Sequence, residues 1–234
     1  MADERVETLL CPVCGGRERR FVPVLWDGLV EEWGLSVAER EYVDRQQGEV
    51  CTTCSANLRS MVLARALLKV MGESEPLQAC EAARPRAHER ILEVNEAGTL
   101  HGELTRFPGH VFAQYPEVDM QDLPYDDEAF DVVVHSDTLE HVADPIAALR
   151  ECRRVLRPGG AVVFTVPVIV GRPSRSRGGL PPSYHGNPAE TGDDFIVHTE
   201  FGDDTWTYIV RAGFVSLSVE ALEYPSALAW IGRR

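Results

Sequence analysis

The stretch from Phe130 to Val166 constrains the fold of this chain more than any other. Val132-Val133-Val134 is a short, continuous, β-branched run, the pattern of a strand covered on both faces. Asp126-Asp127-Glu128 before it is a polar turn. Asp144-Pro145 then opens a helix, with Asp144 as N-cap and Pro145 in the first helical position. Ile146, Leu149, Cys152, Val155 and Leu156 mark its apolar face, Pro158-Gly159-Gly160 ends it, and Ala161 to Val166 supplies the next strand. A strand, a crossover helix and a strand of these lengths make a parallel βαβ unit.

The same stretch resembles a known family. Leu123-Pro124-Tyr125, Phe130 to Val134, Leu139-Glu140-His141-Val142 and Arg154-Val155-Leu156-Arg157-Pro158-Gly159-Gly160 resemble the central block of class I S-adenosylmethionine-dependent methyltransferases. The resemblance implies an α/β, Rossmann-like fold: a mostly parallel sheet of about seven strands with helices on both faces. It also implies S-adenosylmethionine (SAM) as cofactor. Glu93, at the end of the predicted first strand, matches the family's acid. Asn95 and Ala97 stand where the family has glycines, and only Gly98 remains. Asn tolerates the left-handed backbone such a turn needs. Gln114 ends the predicted second strand (109–115) where many members hold the ribose with an acid. Asp119 would accept from the adenine amino group, and the Met120 N–H would bond a ring nitrogen. Ser136 sits at the carboxyl end of a strand, where open α/β sheets bind ligands, with Leu139 and His141 next, facing cofactor or substrate.

Ahead of this domain, Cys11-Pro12-Val13-Cys14-Gly15-Gly16 and Cys51-Thr52-Thr53-Cys54 form two C-x-x-C pairs. Cys11, Cys14, Cys51 and Cys54 are expected to give one closed, four-thiolate structural zinc site. A redox C-x-x-C would be expected beside a βαβ pattern, and neither pair is. Unpaired thiols suit a reducing compartment, and Cys80 is not expected to be a ligand. Between the pairs, Ser36 to Glu39 is a capping box opening a helix to about Gln46. Trp26 and Trp33 are expected to pack under this insert, the alternative being the substrate entrance. A leucine-rich helix, about Ala56 to Met71, follows and ends at Gly72. A cysteine pair followed by Asn57-Leu58-Arg59-Ser60 and such a helix resembles the zinc-ribbon front end of some bacterial methyltransferases. Arg59 is read as a surface or structural charge, the alternative being a contact to the SAM pocket. The expected division is residues 1–72 as the zinc-ribbon module and leading helix, 73–89 as linker, and 90–234 as the SAM-binding domain.

Charge narrows the partners. Thirty-seven acidic against 23 basic residues give −14, which argues against nucleic acid, since phosphate binding rests on Lys and Arg. No run reaches the roughly 18 apolar residues of a membrane span. The acidic start Met1-Ala2-Asp3-Glu4 has no apolar signal core, so a cytoplasmic protein is expected. Pro167 to about Asp204 reads as a long irregular lid, with 171–188 rich in Gly and Pro. Arg172, Arg175 and Arg177 in it read either as a solvated tip or as a site for an anionic small molecule. His185 is the first candidate for a general base, with Tyr184 beside it; His141 is a second and His198 a weaker one. After the lid a helix (204–212), a strand (214–222) and a last strand (227–231) are expected. The function implied is SAM-dependent methylation of a small molecule at oxygen or nitrogen, in secondary-metabolite or glycan-related chemistry. The thinned glycines leave a second reading open: a methyltransferase fold whose catalysis has lapsed, kept as a binding or scaffold partner.

Overall fold

The computed structural model describes residues 10–83, 89–184 and 195–234. The βαβ unit is present as β5 (Phe130–Ser136), α6 (Pro145–Val155) and β6 (Leu156–Thr165), with β5 and β6 parallel. Asp144 caps α6 as its sequence position requires, Oδ1 accepting from the N–H groups of Ile146 and Ala147 at 3.0 Å each. β6 starts at Leu156 rather than Ala161. Pro158-Gly159-Gly160 forms a bulge inside the strand: the register steps from Phe130↔Leu156 to Val132↔Ala161. Only glycine suits position 160, because a Cβ there would lie 2.8 Å from the Asp131 carbonyl oxygen.

The central sheet is completed by β3 (Ile91–Val94), β4 (His110–Ala113), β10 (Ser216–Leu222) and β11 (Ala227–Arg233). Its order is β10-β11-β6-β5-β3-β4. β4, β3, β5 and β6 run parallel; β11 and β10 run antiparallel. Six strands therefore stand among the described residues where about seven were expected. The segment between β4 and β5 is turns and loop, so β4 is the edge.

Alternation along the parallel strands divides the core. Val132 and Val134 face one side with Ile91, Ala161 and Val163, covered by α3 (Leu58–Met71). Val133 faces the other with Leu92, Val162 and Phe164, covered by α6 and by α7 (Trp206–Arg211). α3 is buried along most of its length. It is capped by Asn57, whose Oδ1 accepts from the Ser60 N–H at 2.8 Å, and is ended by left-handed Gly72. The N-terminus of α3 lies over the turn after β3, where a Cβ on Gly98 would come 3.0 Å from the Ser60 Oγ.

The remaining elements build a layer at the carboxyl end of the sheet. β1 (Arg19–Phe21) and β2 (Glu49–Cys51) pair antiparallel, with α1 (Asp27–Glu32) and α2 (Val37–Gly48) between them. The capping box of α2 forms: Ser36 Oγ accepts from the Glu39 N–H at 3.3 Å, and Glu39 Oε2 from the Ser36 N–H at 2.7 Å. After α3 come α4 (Leu77–Ala83) and, beyond β3, a 3-10 turn leading into α5 (His101–Leu104). The segment expected to be irregular holds a small sheet. β7 (Val168–Ile169) and β9 (Thr199–Gly202) pair parallel, and β8 (Arg175–Ser176) and β9 antiparallel. Tyr42 Oη donates to the Val170 carbonyl at 3.2 Å, fastening α2 to this sheet.

Candidate functional site

The two cysteine pairs meet. The sulfurs of Cys11, Cys14, Cys51 and Cys54 all lie within 4.8 Å of one another, with Cys11–Cys54 and Cys14–Cys51 at 3.7 Å. The knuckles repeat one geometry. Gly15 N–H donates to the Cys11 carbonyl at 2.8 Å and Ser55 N–H to the Cys51 carbonyl at 2.9 Å. Both donors take the left-handed backbone, φ 79° at Gly15 and 62° at Ser55. Gly16 N–H donates to Cys14 Sγ at 3.3 Å. Four converging sulfurs, one already receiving a backbone N–H, fit a structural zinc and leave no ligand position open. Cys80 lies apart, its thiol donating to the Glu75 carbonyl at 3.3 Å.

The turn after β3 keeps the conformation its missing glycines would have supplied. Asn95 takes φ 55° and Gly98 φ 57°, both left-handed. Asn95 Oδ1 accepts from the Tyr115 N–H at 3.0 Å, tying this turn to the one after β4. Glu93 is sealed beneath. Its carboxylate receives the Ala97 N–H at 2.8 Å and meets His101 at 2.9 Å and His110 at 2.7 Å. Burial works to raise its pKa, but the bonds from His110, Ala97 and His101 outweigh it and hold the group below the ordinary range. Glu93 therefore supports the turn from inside. Gln114 and Asp119 lie exposed on the rim, and Met120 is buried. Asp119 Oδ1 accepts from the Gln121 N–H at 2.8 Å, which fixes the loop that presents the carboxylate. Left-handed Asn95 and Gly98, an exposed amide just after β4 and an exposed acid on the loop that follows suit a nucleoside-bearing cofactor.

A second, separate feature lies where β5 and β6 end. A cavity of about 400 Å³ is floored by Arg59, Asp137, Glu140, His141 and Pro167. Its roof comes from the insert between the cysteine pairs: Leu25, Trp26, Leu29, Trp33, Val43 and Gln47. Phe195 closes one side. Trp33 is buried, as expected for core, with Nε1 donating to Ser183 Oγ at 3.4 Å. Trp26 is 37% exposed and, like Trp33, lines the cavity.

Arg59 is 5% exposed and so is not a surface charge. It ion-pairs with Asp137 and donates to Gln46 Oε1 at 2.6 Å. Asp137 follows β5 directly and takes φ 50°. His141 Nδ1 lies 3.0 Å from the Ile196 carbonyl, which can only accept, so Nδ1 carries a proton. Nε2 stands 3.7 Å from Oε1 of buried Glu140.

Several sequence-predicted residues fall elsewhere. Ser136 is buried, its Oγ 2.7 Å from Thr165 Oγ1. Leu139 is fully buried in the core beneath α6, because residues 139–141 form a 3-10 turn that brings Glu140 and His141 to the cavity. Tyr184 pairs with Ile196 in an isolated antiparallel bridge and does not line the cavity. His185 lies outside the described residues. The His198 N–H donates to the Glu140 carbonyl at 2.7 Å. His135, on β5, is fully buried against Phe164; burial pushes its pKa down to about 3, with nearby Glu140 pulling the other way, so it stays neutral. Arg59, Asp137 and Glu140 were not singled out for the cavity from sequence. The signal for the two acids was their place within the block running from the end of β5 to His141.

The three arginines of the long loop are committed to carboxylates. Arg172 binds Glu39 and donates to the Trp33 and Gly34 carbonyls at 2.9 and 2.8 Å. Arg175 and Arg177 both bind Glu200. None of the three lines the cavity.

Comparison with known proteins agrees with this geometry. Residues 78–164 match the methyltransferase domain family; they fall within the mostly parallel, Rossmann-like sheet, and the four-cysteine module precedes them. More particularly, the chain is 35% identical over 75 residues to a ubiquinone biosynthesis O-methyltransferase of Pseudomonas syringae pv. tomato, covering 32% of each chain. It is 41% identical over 84 residues to a glycine/sarcosine/dimethylglycine N-methyltransferase of Actinopolyspora halophila, covering 35% of this chain and 15% of that one. The chain thus spans about a third or less of these relatives' length. A solved SAM-dependent methyltransferase from Mesorhizobium loti is 16% identical, with TM-score 0.39, over 67% of this chain and 96% of that one.

Proposed function

We propose that this chain transfers a methyl group from SAM to the oxygen or nitrogen of a small molecule held in the roofed cavity. The observation that carries the reading is the cavity at the carboxyl ends of β5 and β6, with His141 and Glu140 on its floor. When bound, SAM supplies an electrophilic methyl. The turn at Asn95 and Gly98 and the rim residues Gln114 and Asp119 would hold it, and the buried bonds of Glu93 keep that turn in shape. Proximity does much of the work: the roof confines the acceptor and excludes water, so the reacting atoms meet in line. Where the acceptor atom carries a proton, His141 on the cavity floor is the residue placed to take it. The Ile196 carbonyl, 3.0 Å from Nδ1, holds the ring in place.

An anionic acceptor would have rested on Arg172, Arg175 and Arg177, whose carboxylate partners leave it without support. All six cysteines stand outside disulfides, which supports a reducing, cytoplasmic setting; no helix among the described residues is long and apolar enough to cross a membrane.

Calorimetry of the purified chain with SAM and S-adenosylhomocysteine (SAH) should show one saturable site. Mass spectrometry of candidate acceptors should then show methyl gain that is lost in His141→Gln with SAH binding kept. No binding at millimolar SAM would overturn the reading in favour of a lapsed enzyme.

A further inference from the structure

The roofed cavity is apolar where the insert builds it and polar where the sheet does. Leu29, Trp33 and Val43 form the buried back of the roof, and Val24 and Trp26, 42% and 37% exposed, mark its mouth. Phe195 adds a third aromatic ring to the two indoles. Among the described lining residues the charged groups all lie on the floor, and each already has a protein partner. Arg59 pairs with Asp137 and donates to Gln46 Oε1 at 2.6 Å. Asp137 also receives Gln47 Nε2 at 3.4 Å. Glu140 Oε1 lies 3.7 Å from His141 Nε2, and His141 Nδ1 donates to the Ile196 carbonyl at 3.0 Å. An ion brought here would leave its water and find the countercharges taken, a costly exchange. A neutral molecule meets no such cost. A space of about 400 Å³ is near the lower end for small-molecule sites and suits one or two rings with a substituent.

We propose that the methyl acceptor is a neutral aromatic molecule of one or two rings, and that the insert between the two cysteine pairs selects it through Trp26 and Trp33. The inference rests on the methyl-transfer reading and deepens it. The ring lies under the roof, where the indoles and Phe195 take it out of water. Aromatic rings gain from one another beyond the area they bury, so an aromatic guest is favoured over a saturated one of the same size. Its polar edge, which carries the acceptor oxygen or nitrogen, meets the floor, where Arg59, Asp137, Glu140 and His141 stand. A lining with one apolar side and one polar side orients the guest as well as holding it. The roof is fixed before a ligand arrives. Arg172 joins Glu39 to the carbonyls of Trp33 and Gly34, and Ser183 Oγ accepts from the Trp33 indole, so little ordering is left to oppose binding. The residues suited to SAM, Gln114, Asp119, Asn95 and Gly98, line no part of this cavity, so its character belongs to the other substrate.

The test uses the full chain saturated with SAH. Phenol, catechol and naphthol are titrated by calorimetry beside their ring-saturated alcohols and beside the carboxylate and aminomethyl counterparts of the same rings. At least one of the three should bind tenfold or more tighter than both charged counterparts. It should bind roughly 2- to 10-fold tighter than its saturated alcohol, the range of an aromatic pair. Trp26→Leu should weaken that aromatic ligand roughly 2- to 10-fold and leave the saturated alcohol nearly unchanged. Trp26→Phe should recover part of the loss, and SAH affinity should stay the same in both variants. Charged or saturated counterparts binding as tightly, no neutral aromatic binding at millimolar concentration, or Trp26→Leu holding the ring as wild type does would each overturn the proposal. If Trp26→Leu does not fold, the ranking on the wild-type chain decides. If SAH itself does not bind the wild-type chain, the methyl-transfer reading falls first and takes this one with it. Binding of SAH with the wrong acceptor preference removes only the neutral aromatic acceptor.

Discussion

Asn95 offers a sharp test of why the turn after β3 works without the usual glycines. Its backbone is left-handed at φ 55°, and its side chain accepts the Tyr115 N–H at 3.0 Å. Alanine can do neither. A left-handed alanine costs about 1–2 kcal/mol. Tyr115 is exposed and its N–H can turn to water, so losing that bond costs only about 0.5–1 kcal/mol. Asn95→Ala should therefore lose about 1.5–3 kcal/mol. Asn95→Gly removes the strain, loses the same bond, and adds about 0.5–1 kcal/mol of unfolded-state freedom, so a net loss of about 1–2 kcal/mol is expected. The difference between the variants, about 0.5–1 kcal/mol, isolates the backbone. Urea denaturation followed by circular dichroism would read it as a midpoint lower for alanine than for glycine at unchanged slope. SAM affinity should follow the same order, because the turn that holds the cofactor is the one being strained. Equal midpoints and equal affinities for the two variants would refute the argument that the left-handed backbone, rather than the side chain, makes this position.

The other outcomes are more direct. Metal analysis should find about one zinc per chain, and Cys51→Ser should lower the melting temperature; zinc-free protein of unchanged stability would contradict a structural site. Asp119→Ala should weaken SAM about ten- to a hundredfold, the worth of a bond to a charged acceptor, and Gln114→Ala should cost less; equal affinity in Asp119→Ala would mean that adenine lies elsewhere. The Glu39 carboxylate is pulled from 4.5 down to about 2, chiefly by its hydrogen bonds from Arg172. A lowered folded-state pKa stabilises above the unfolded value and is lost as pH falls through the folded one. Glu39→Gln should therefore cost about 1–2 kcal/mol at pH 7, a penalty discounted for partial exposure that shrinks as pH drops from 4.5 toward 2; a penalty independent of pH in urea titrations would refute the ion pair as its source.

What sequence could foretell was what is local. The Ser36–Glu39 box, the Asp144-Pro145 start and the Gly72 stop each rest on neighbours within one helical turn, and each formed as expected. The two C-x-x-C pairs announced their own meeting. The cavity was hidden because it joins distant segments. Arg59 meets Asp137 across 78 positions and Trp33 meets Ser183 across 150. Leu139 shows the limit of periodic reasoning: read as part of a helical turn it should face a ligand, but a 3-10 turn rotated it into the core and turned Glu140 to the cavity. The three arginines looked available because their partners Glu39 and Glu200 lie on other elements.

The paired knuckles give the roof an unusual freedom to change. Cys14 and Cys51 hold the two ends of the insert side by side, 3.7 Å apart, before it reaches the sheet. A segment closed at its ends can grow or shrink cheaply, since each doubling of a loop's length costs only about 0.6 kcal/mol. The parallel strands and the turns at their carboxyl ends need not shift when it does. Descendants of this chain could therefore trade one roof for another, keeping the chemistry below and altering what is admitted. The same junction marks where an engineer would cut: residues 23–47 could be exchanged between relatives as a cassette, with the thiols as a fixed socket.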